Sequence, residues 1–253
     1  MADIIIDRRF CGPPDSGNGG YVSGLLTREI AGPATAVLRA RIPLDVALSL
    51  EAGADTARLL GAEGLLIGEA SAAAATALPT PPAPPSFDQA AAAGRRFPGL
   101  TETFHPICFT CSPDRAEDDA LRVFAGQIEG APEGCIAGVW TPHAAFGDED
   151  GLVRSEMVWA ALDCPGFFAW VVKLGRHGGL LGTMTGEIIR RPRVGEPCIV
   201  TAWPLSREGR KEFSGVALFD ADGTLMARGR QVWISMARPP QPASTLSETA
   251  ISG

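Results

Sequence analysis

The chain carries little charge, and no excess of the positive sign. Of its 253 residues 20% are charged and 45% hydrophobic, which is too apolar for an unfolded chain and enough for a substantial core. Twenty-two Lys and Arg stand against 29 Asp and Glu, a net charge of -7. That sign is wrong for neutralising phosphate backbones, so nucleic acid is not an expected partner. No unbroken apolar run reaches the ~18 residues of a membrane span, so no membrane is expected either. The opening Met-Ala-Asp-Ile-Ile-Ile-Asp-Arg-Arg has an acid where a secretion signal carries bases, and its apolar stretch is too short. A cytoplasmic location is expected. Gly-x-Ser-x-Gly is missing, and the three histidines have no evident acid or nucleophile beside them, so a Ser-His-Asp hydrolase is not supported. No second Cys-x-x-Cys follows Cys108-Phe-Thr-Cys111, which leaves His105, Cys108 and Cys111 one ligand short of a structural zinc site. A turn with small buried side chains is expected there, with no metal and no cofactor. The remaining cysteines, Cys11, Cys135, Cys164 and Cys198, are dispersed and expected as reduced thiols.

The length fits one large domain or two small ones. The sharpest change in composition lies between Ser71 and Gly94, where an alanine run meets Thr-Pro-Pro-Ala-Pro-Pro at 80–85. Proline removes backbone donors and fixes φ, so an extended connector is expected, neither helix nor inner strand. The expected division is 1–95, 96–238 and a frayed tail over 239–253, where Pro239, Pro240 and Pro242 precede a Ser/Thr-rich end.

Each of the two longer parts holds a helical run. In the first, the glycine-rich Cys11–Gly20 loop leads into Tyr21–Ile30, where Val22, Leu25, Leu26 and Ile30 recur at helical spacing and Gly32-Pro33 stops the run. Strands are expected at 35–42, 46–50 and 65–70. In the second, strands are expected at 121–124 and 136–140, then a helix from Ser155 to Asp163 with Ser155 as N-cap. A meander follows at 181–190, 198–205, 211–219 and 225–236, with Asp220-Ala-Asp-Gly223 as a hairpin turn.

This order, with Asn18-Gly19-Gly20-Tyr21 at the start of the first helix and Glu187–Pro197 with the Asp222-Gly223 hairpin at the end, resembles the double hot-dog arrangement of acyl-CoA thioesterase-like proteins. His105–Arg115 followed by Ala120-Leu121 is similar to the Cys-Phe-x-Cys-Gly…Gly-Leu opening of some phenylacetyl-CoA-thioesterase-like members, although Ser112 and Ala120 stand where the glycines would be. The resemblance implies an α+β fold: two antiparallel sheets, each wrapping a central helix, forming an internal pseudo-dimer. It also implies hydrolysis of an acyl-CoA or other acyl-thioester, with an acid about two turns into a hot-dog helix facing the glycine loop of the other half.

Thioester hydrolysis needs donors aimed at the developing oxyanion and a group that activates water or the acyl carbon. A helix N-terminus after glycines offers such donors. Laid over each other, Gly20–Thr27 and Glu156–Asp163 have the same length. The first run has the glycines but Thr27 where an acid belongs, while the second has Asp163 but Ser155 and Glu156 where glycines belong. A composite site is therefore expected, with Asn18, Gly19, Gly20 and Tyr21 polarising the thioester and Asp163 as base or nucleophile. The alternatives are a turn at Asn-Gly-Gly with Asp163 capping local donors where Cys164-Pro165-Gly166 kinks or ends the helix, and a fold that binds acyl-CoA or another small ligand without turnover. A hydratase would carry Asp-x-x-x-x-His, and Asp163 has Phe168 at that place.

Other candidates carry weaker readings. Glu29 should face about 200° away from the expected acid position, as a solvated or capping residue. His177-Gly178-Gly179 is expected as a loop, His143 as exposed, and Cys164 as a buried thiol. Arg39, Arg41, Arg190, Arg191 and Arg193 offer cations for CoA phosphates or a plain solvent face. Trp159, Phe167, Phe168 and Trp170 offer an acyl pocket or ordinary core. The outer sheet edge leaves room for a homo-oligomer.

Overall fold

The computed structural model describes residues 2–102, 104–175 and 178–236. In chain order its elements are β1 (Ala2–Ile5), α1 (Gly19–Thr27), β2 (Ala34–Leu38), β3 (Ala47–Ala52), β4 (Thr56–Leu60), β5 (Leu66–Ala72), α2 (Phe87–Gly94), β6 (Gly126–Gln127), β7 (Ile136–Trp140), α3 (Ser155–Ala161), α4 (Asp163–Leu174), β8 (Gly179–Ile188), β9 (Cys198–Glu208), β10 (Lys211–Asp220) and β11 (Leu225–Ser235).

All eleven strands belong to one antiparallel sheet in the order β1-β3-β4-β5-β2-β8-β11-β10-β9-β7-β6. The expected two sheets are thus corrected to one. The reason is local: β2 pairs with β5 on one side and with β8 on the other, Ala34 through Val37 lying opposite Gly186 through Thr183. Both strands use both of their edges, and the sheet continues without a gap.

The four-strand meander follows the alternation expected of it. On β11 every second residue is buried, from Ala227 to Ser235, and Asp220 builds the preceding turn by accepting the Asp222 and Thr224 N–H groups on Oδ1. Gly223, at φ 87°, supplies the left-handed position that this turn requires.

Four expectations change. The 80–85 stretch has no regular structure, but α2 follows it directly. The Ser86 hydroxyl accepts the Gln89 N–H while Gln89 returns its amide oxygen to the Ser86 N–H, and this capping box starts a helix whose Ala90 and Ala93 are fully buried. Residues 121–124 do not form a strand. Arg122 takes φ 56°, and the chain there bonds back to the loop, Leu121 N–H to Phe109 C=O and Val123 N–H to Thr110 C=O. Arg154, not Ser155, occupies the N-cap of α3. The helical run breaks close to the expected place, at Leu162, but it does not finish at Asp163: α3 stops at Ala161, and α4 begins at Asp163 and runs to Leu174. Pro165 sits in the first turn of α4, where its missing N–H would have no intrahelical acceptor.

Together α3 and α4 form the apolar stretch Ser155–Leu174, long enough to cross a membrane but 83% buried inside the protein, the position of a core helix. Helix α1 lies antiparallel against α3. Gly20 and Gly24, one turn apart, make that approach possible: Gly24 faces Glu156, and Gly20 faces Trp159, Ala160 and Asp163. On the other face of α1, Val22 and Leu26 join the main core.

Candidate active site

Asn18 precedes the first turn of α1 with extended backbone, and its side-chain oxygen accepts the Tyr21 N–H at 2.9 Å. That makes it the N-cap. Its amide nitrogen donates to the Thr110 hydroxyl at 3.2 Å, and Thr110 in turn donates to the Ala160 carbonyl of α3 at 2.8 Å. The cap is therefore tied to α3 through a residue of the loop between α2 and β6. The Tyr21 N–H is taken up by the cap, and the Tyr21 ring stacks on Phe10 with centroids 4.1 Å apart.

The structure brings Asn18, Gly19, Gly20 and Asp163 together. The Gly20 N–H donates to Asp163 Oδ2 at 3.0 Å, while Oδ1 of the same carboxyl is buried with no hydrogen-bond partner. Burial raises the Asp163 pKa to about 7, against the opposing pull of the Gly20 N–H and the Asn18 amide. A carboxyl with one satisfied and one idle oxygen, titrating near neutrality, is poised to exchange a proton with something placed beside it.

That place exists. Asn18, Gly19 and Asp163 line a cavity of about 640 Å³ whose wall is mainly apolar, with Leu38, Leu180, Leu181, Trp233 and Ile234. Arg39 and Arg41 also line it, half exposed, the first paired with Glu69 and the second with Asp15. Arg190 is bound to Glu196 and Asp220, and Arg191 to Asp148, away from this cavity. Trp159, Phe167, Phe168 and Trp170 are core residues and none lines the cavity. Glu29 is exposed. Thr27 turns its hydroxyl back to the Ser23 carbonyl. His177 lies outside the described residues. His143 caps a short 3₁₀ turn through Nδ1, beside a second cavity of about 640 Å³ that contains no buried carboxylate.

Gln231, which the sequence did not single out, sits beneath Asp163. It is fully buried on β11, donates to the Leu162 and Asp163 carbonyls at 2.7 and 3.2 Å, and accepts the Trp233 indole N–H at 2.8 Å. It thereby holds the break between α3 and α4 that sets the carboxyl in place. The only signal in the sequence is a glutamine at an inward-facing position of an alternating strand.

Three thiols converge beside this site. The Sγ atoms of Cys108, Cys111 and Cys164 lie within 4.8 Å of one another, and all three are buried. Cys164 joins Cys108 and Cys111 there, and His105, the third possible ligand in the sequence, does not. Among the described residues no further Cys, His, Asp or Glu joins this group, so a closed four-ligand site is not formed.

No protein-family profile matches the chain, and no curated protein matches it by sequence. Solved structures do match. A protein from Novosphingobium aromaticivorans, provisionally named a thioesterase, superposes with a TM-score of 0.60 at 15% identity, covering 93% of this chain and 95% of that one. A protein from Thermobifida fusca, provisionally named thioesterase II, gives 0.59 at 15% identity over 93% and 92%. A hot-dog protein of unknown function from Alicyclobacillus acidocaldarius gives 0.58 at 13% identity over 94% and 93%. The chain has the double hot-dog fold of thioesterase-like proteins.

Proposed function

We propose that the chain hydrolyses an acyl-thioester, acyl-CoA being the expected carrier form, at one composite site between two hot-dog halves that act as an internal pseudo-dimer. The observation that carries this reading is the Asp163 carboxyl, held by the Gly20 N–H through one oxygen and idle on the other, at the wall of a largely apolar cavity. The apolar wall suits an acyl chain, and Arg39 and Arg41 suit the phosphates of the carrier.

In this mechanism the Gly19 N–H, at the N-terminus of α1, polarises the thioester carbonyl with the help of the helix dipole. Asn18 and Tyr21 position it, since the cap they form fixes the first turn. Ionised Asp163 takes a proton from water as the water oxygen attacks the carbonyl carbon. The carbon–sulfur bond then breaks, and the thiolate leaves and is protonated. The experiment that tests the assignment is Asp163→Asn, assayed for thiol release from a panel of acyl-CoA esters. A protein that binds the esters without turnover would be stabilised by them in a thermal-shift measurement and release no thiol before any substitution is made.

A further inference from the structure

The cavity that carries Asp163 also carries two thiols for which hydrolysis has no use. Cys108 comes from the loop between α2 and β6, and Cys164 is the second residue of α4; both line the cavity wall. Their sulfurs are 3.5 Å apart, with Cys111 completing the group. The three are not equivalent. Hydrogen bonds from the Cys111 and Cys164 thiols, with the backbone N–H groups of Cys111 and Thr110, hold the Cys108 thiol well below the ordinary thiol range. Contact with the Cys108 sulfur, together with burial, pushes Cys164 and Cys111 up. Two sulfurs 3.5 Å apart, carried by different elements at the wall of one cavity, are the starting arrangement for forming a disulfide.

We propose that Cys108 and Cys164 form an oxidation site that takes a small hydroperoxide from the cavity and closes to a reversible disulfide. The Cys108 sulfur attacks one peroxide oxygen and the O–O bond breaks. The other oxygen leaves and is protonated to water or an alcohol, and Cys108 becomes a sulfenic acid. The Cys164 sulfur then attacks the Cys108 sulfur and gives up its proton, and the expelled hydroxide becomes water. Two thiols and one hydroperoxide thus yield one disulfide, one water and one water or alcohol: the cysteines lose two electrons and the peroxide gains them. The two sulfurs must close by about 1.5 Å to reach the ~2.05 Å of an S–S bond. The closed bond would pin the first turn of α4, directly after Asp163, to the loop that carries Thr110. This site stands independently of the hydrolase reading.

The proposal inverts the order that simple exposure would give. Cys108 and Cys164 are 1% and 7% exposed, whereas Cys135 is only half-buried. Oxidation governed by solvent access would strike Cys135 first. The test uses the full, reduced chain, treated with limiting hydrogen peroxide, quenched with catalase, unfolded, and alkylated with N-ethylmaleimide. The expected intact mass shows two of the six thiols protected, a non-reducing peptide map joins Cys108 to Cys164, and dithiothreitol restores all six. Cys111→Ser and Cys135→Ser should keep the link. Because Cys164→Ser could disturb packing, the peptide map of the unmodified chain decides the matter. Modification at Cys135 first, a Cys108–Cys111 link in place of the expected one, or full alkylation after peroxide each overturns the proposal. So does a native mass showing a bound divalent metal that blocks oxidation until chelator removes it.

Discussion

The Gly20 amide and the Asp163 carboxyl, 143 positions apart in the chain, meet at 3.0 Å across the contact between α1 and the start of α4. The meeting is possible because position 20 has no side chain. A Cβ there would lie 2.6 Å from the Asp163 Cβ and 2.7 Å from the Trp159 carbonyl oxygen.

Replacing Asp163 with Asn keeps the shape and removes the base. Thiol release from acyl-CoA should fall by about 10²- to 10⁴-fold, the usual contribution of a positioned base, while stabilisation by bound ester persists. An unchanged turnover number would remove Asp163 from the mechanism.

The pH dependence has two parts of opposite sign. As base, Asp163 works ionised, so the rate should rise with pH through a midpoint at about 7. For stability, the folded pKa lies above the ordinary carboxylate value of about 3.9, so the folded state binds the proton more tightly than the unfolded one. Stability is therefore greatest below about pH 4 as far as this group is concerned, and it declines as pH rises towards 7. Asp163→Asn should remove that decline, and chemical denaturation of both proteins at pH 5 and pH 8 reads it: the variant should gain on the parent at the higher pH. A parent–variant difference that does not change between the two pH values contradicts the burial argument.

Gly20→Ala should cost both stability and turnover. The added methyl meets Asp163 and two backbone groups of α3, so a helix has to shift, an overpacking worth about 1–3 kcal/mol. Gly53→Ala, where the nearest atom would be 3.5 Å away, is the control expected to change little. Melting temperatures of the two variants that fall equally would argue against a close α1–α3 approach.

Gln231→Leu leaves the Leu162 carbonyl and the Trp233 indole without their partner in a buried place. A loss of about 2–4 kcal/mol is expected from the two orphaned groups. Turnover should fall more than substrate affinity, because the break that aims Asp163 loosens while the cavity wall stays. Equal changes in kcat and KM for Gln231→Leu would make the residue merely structural.

The meander was legible because its strands alternate cleanly and Asp-Gly fixes a turn. Strands β1, β4 and β6 lie outside the runs expected as strands: the first is among exposed residues, the second is a short run with an arginine at its centre, and the third is only two residues long. Helix α2 was hidden by the prolines before it, although Ser86 and Gln89 spell a capping box. The meeting of Gly20 with Asp163 is expected only through the resemblance, which sets an acid against the glycine loop of the other half; in the structure that acid opens α4 and does not belong to α3. Gln231 and Cys164 could not be placed, since their partners lie 69 and 56 residues away and only the folded sheet brings them near.

The ladder between β2 and β8 joins strands that lie on opposite sides of the proline-rich stretch at 80–85. Peptide continuity there is not what holds the protein together. A chain nicked within that stretch keeps the β2–β8 hydrogen bonds, the α1–α3 contact and the Gly20–Asp163 bond, so the two fragments remain one particle. Separated by denaturant, each fragment would expose the strand edge, β2 in one and β8 in the other, that its partner had covered.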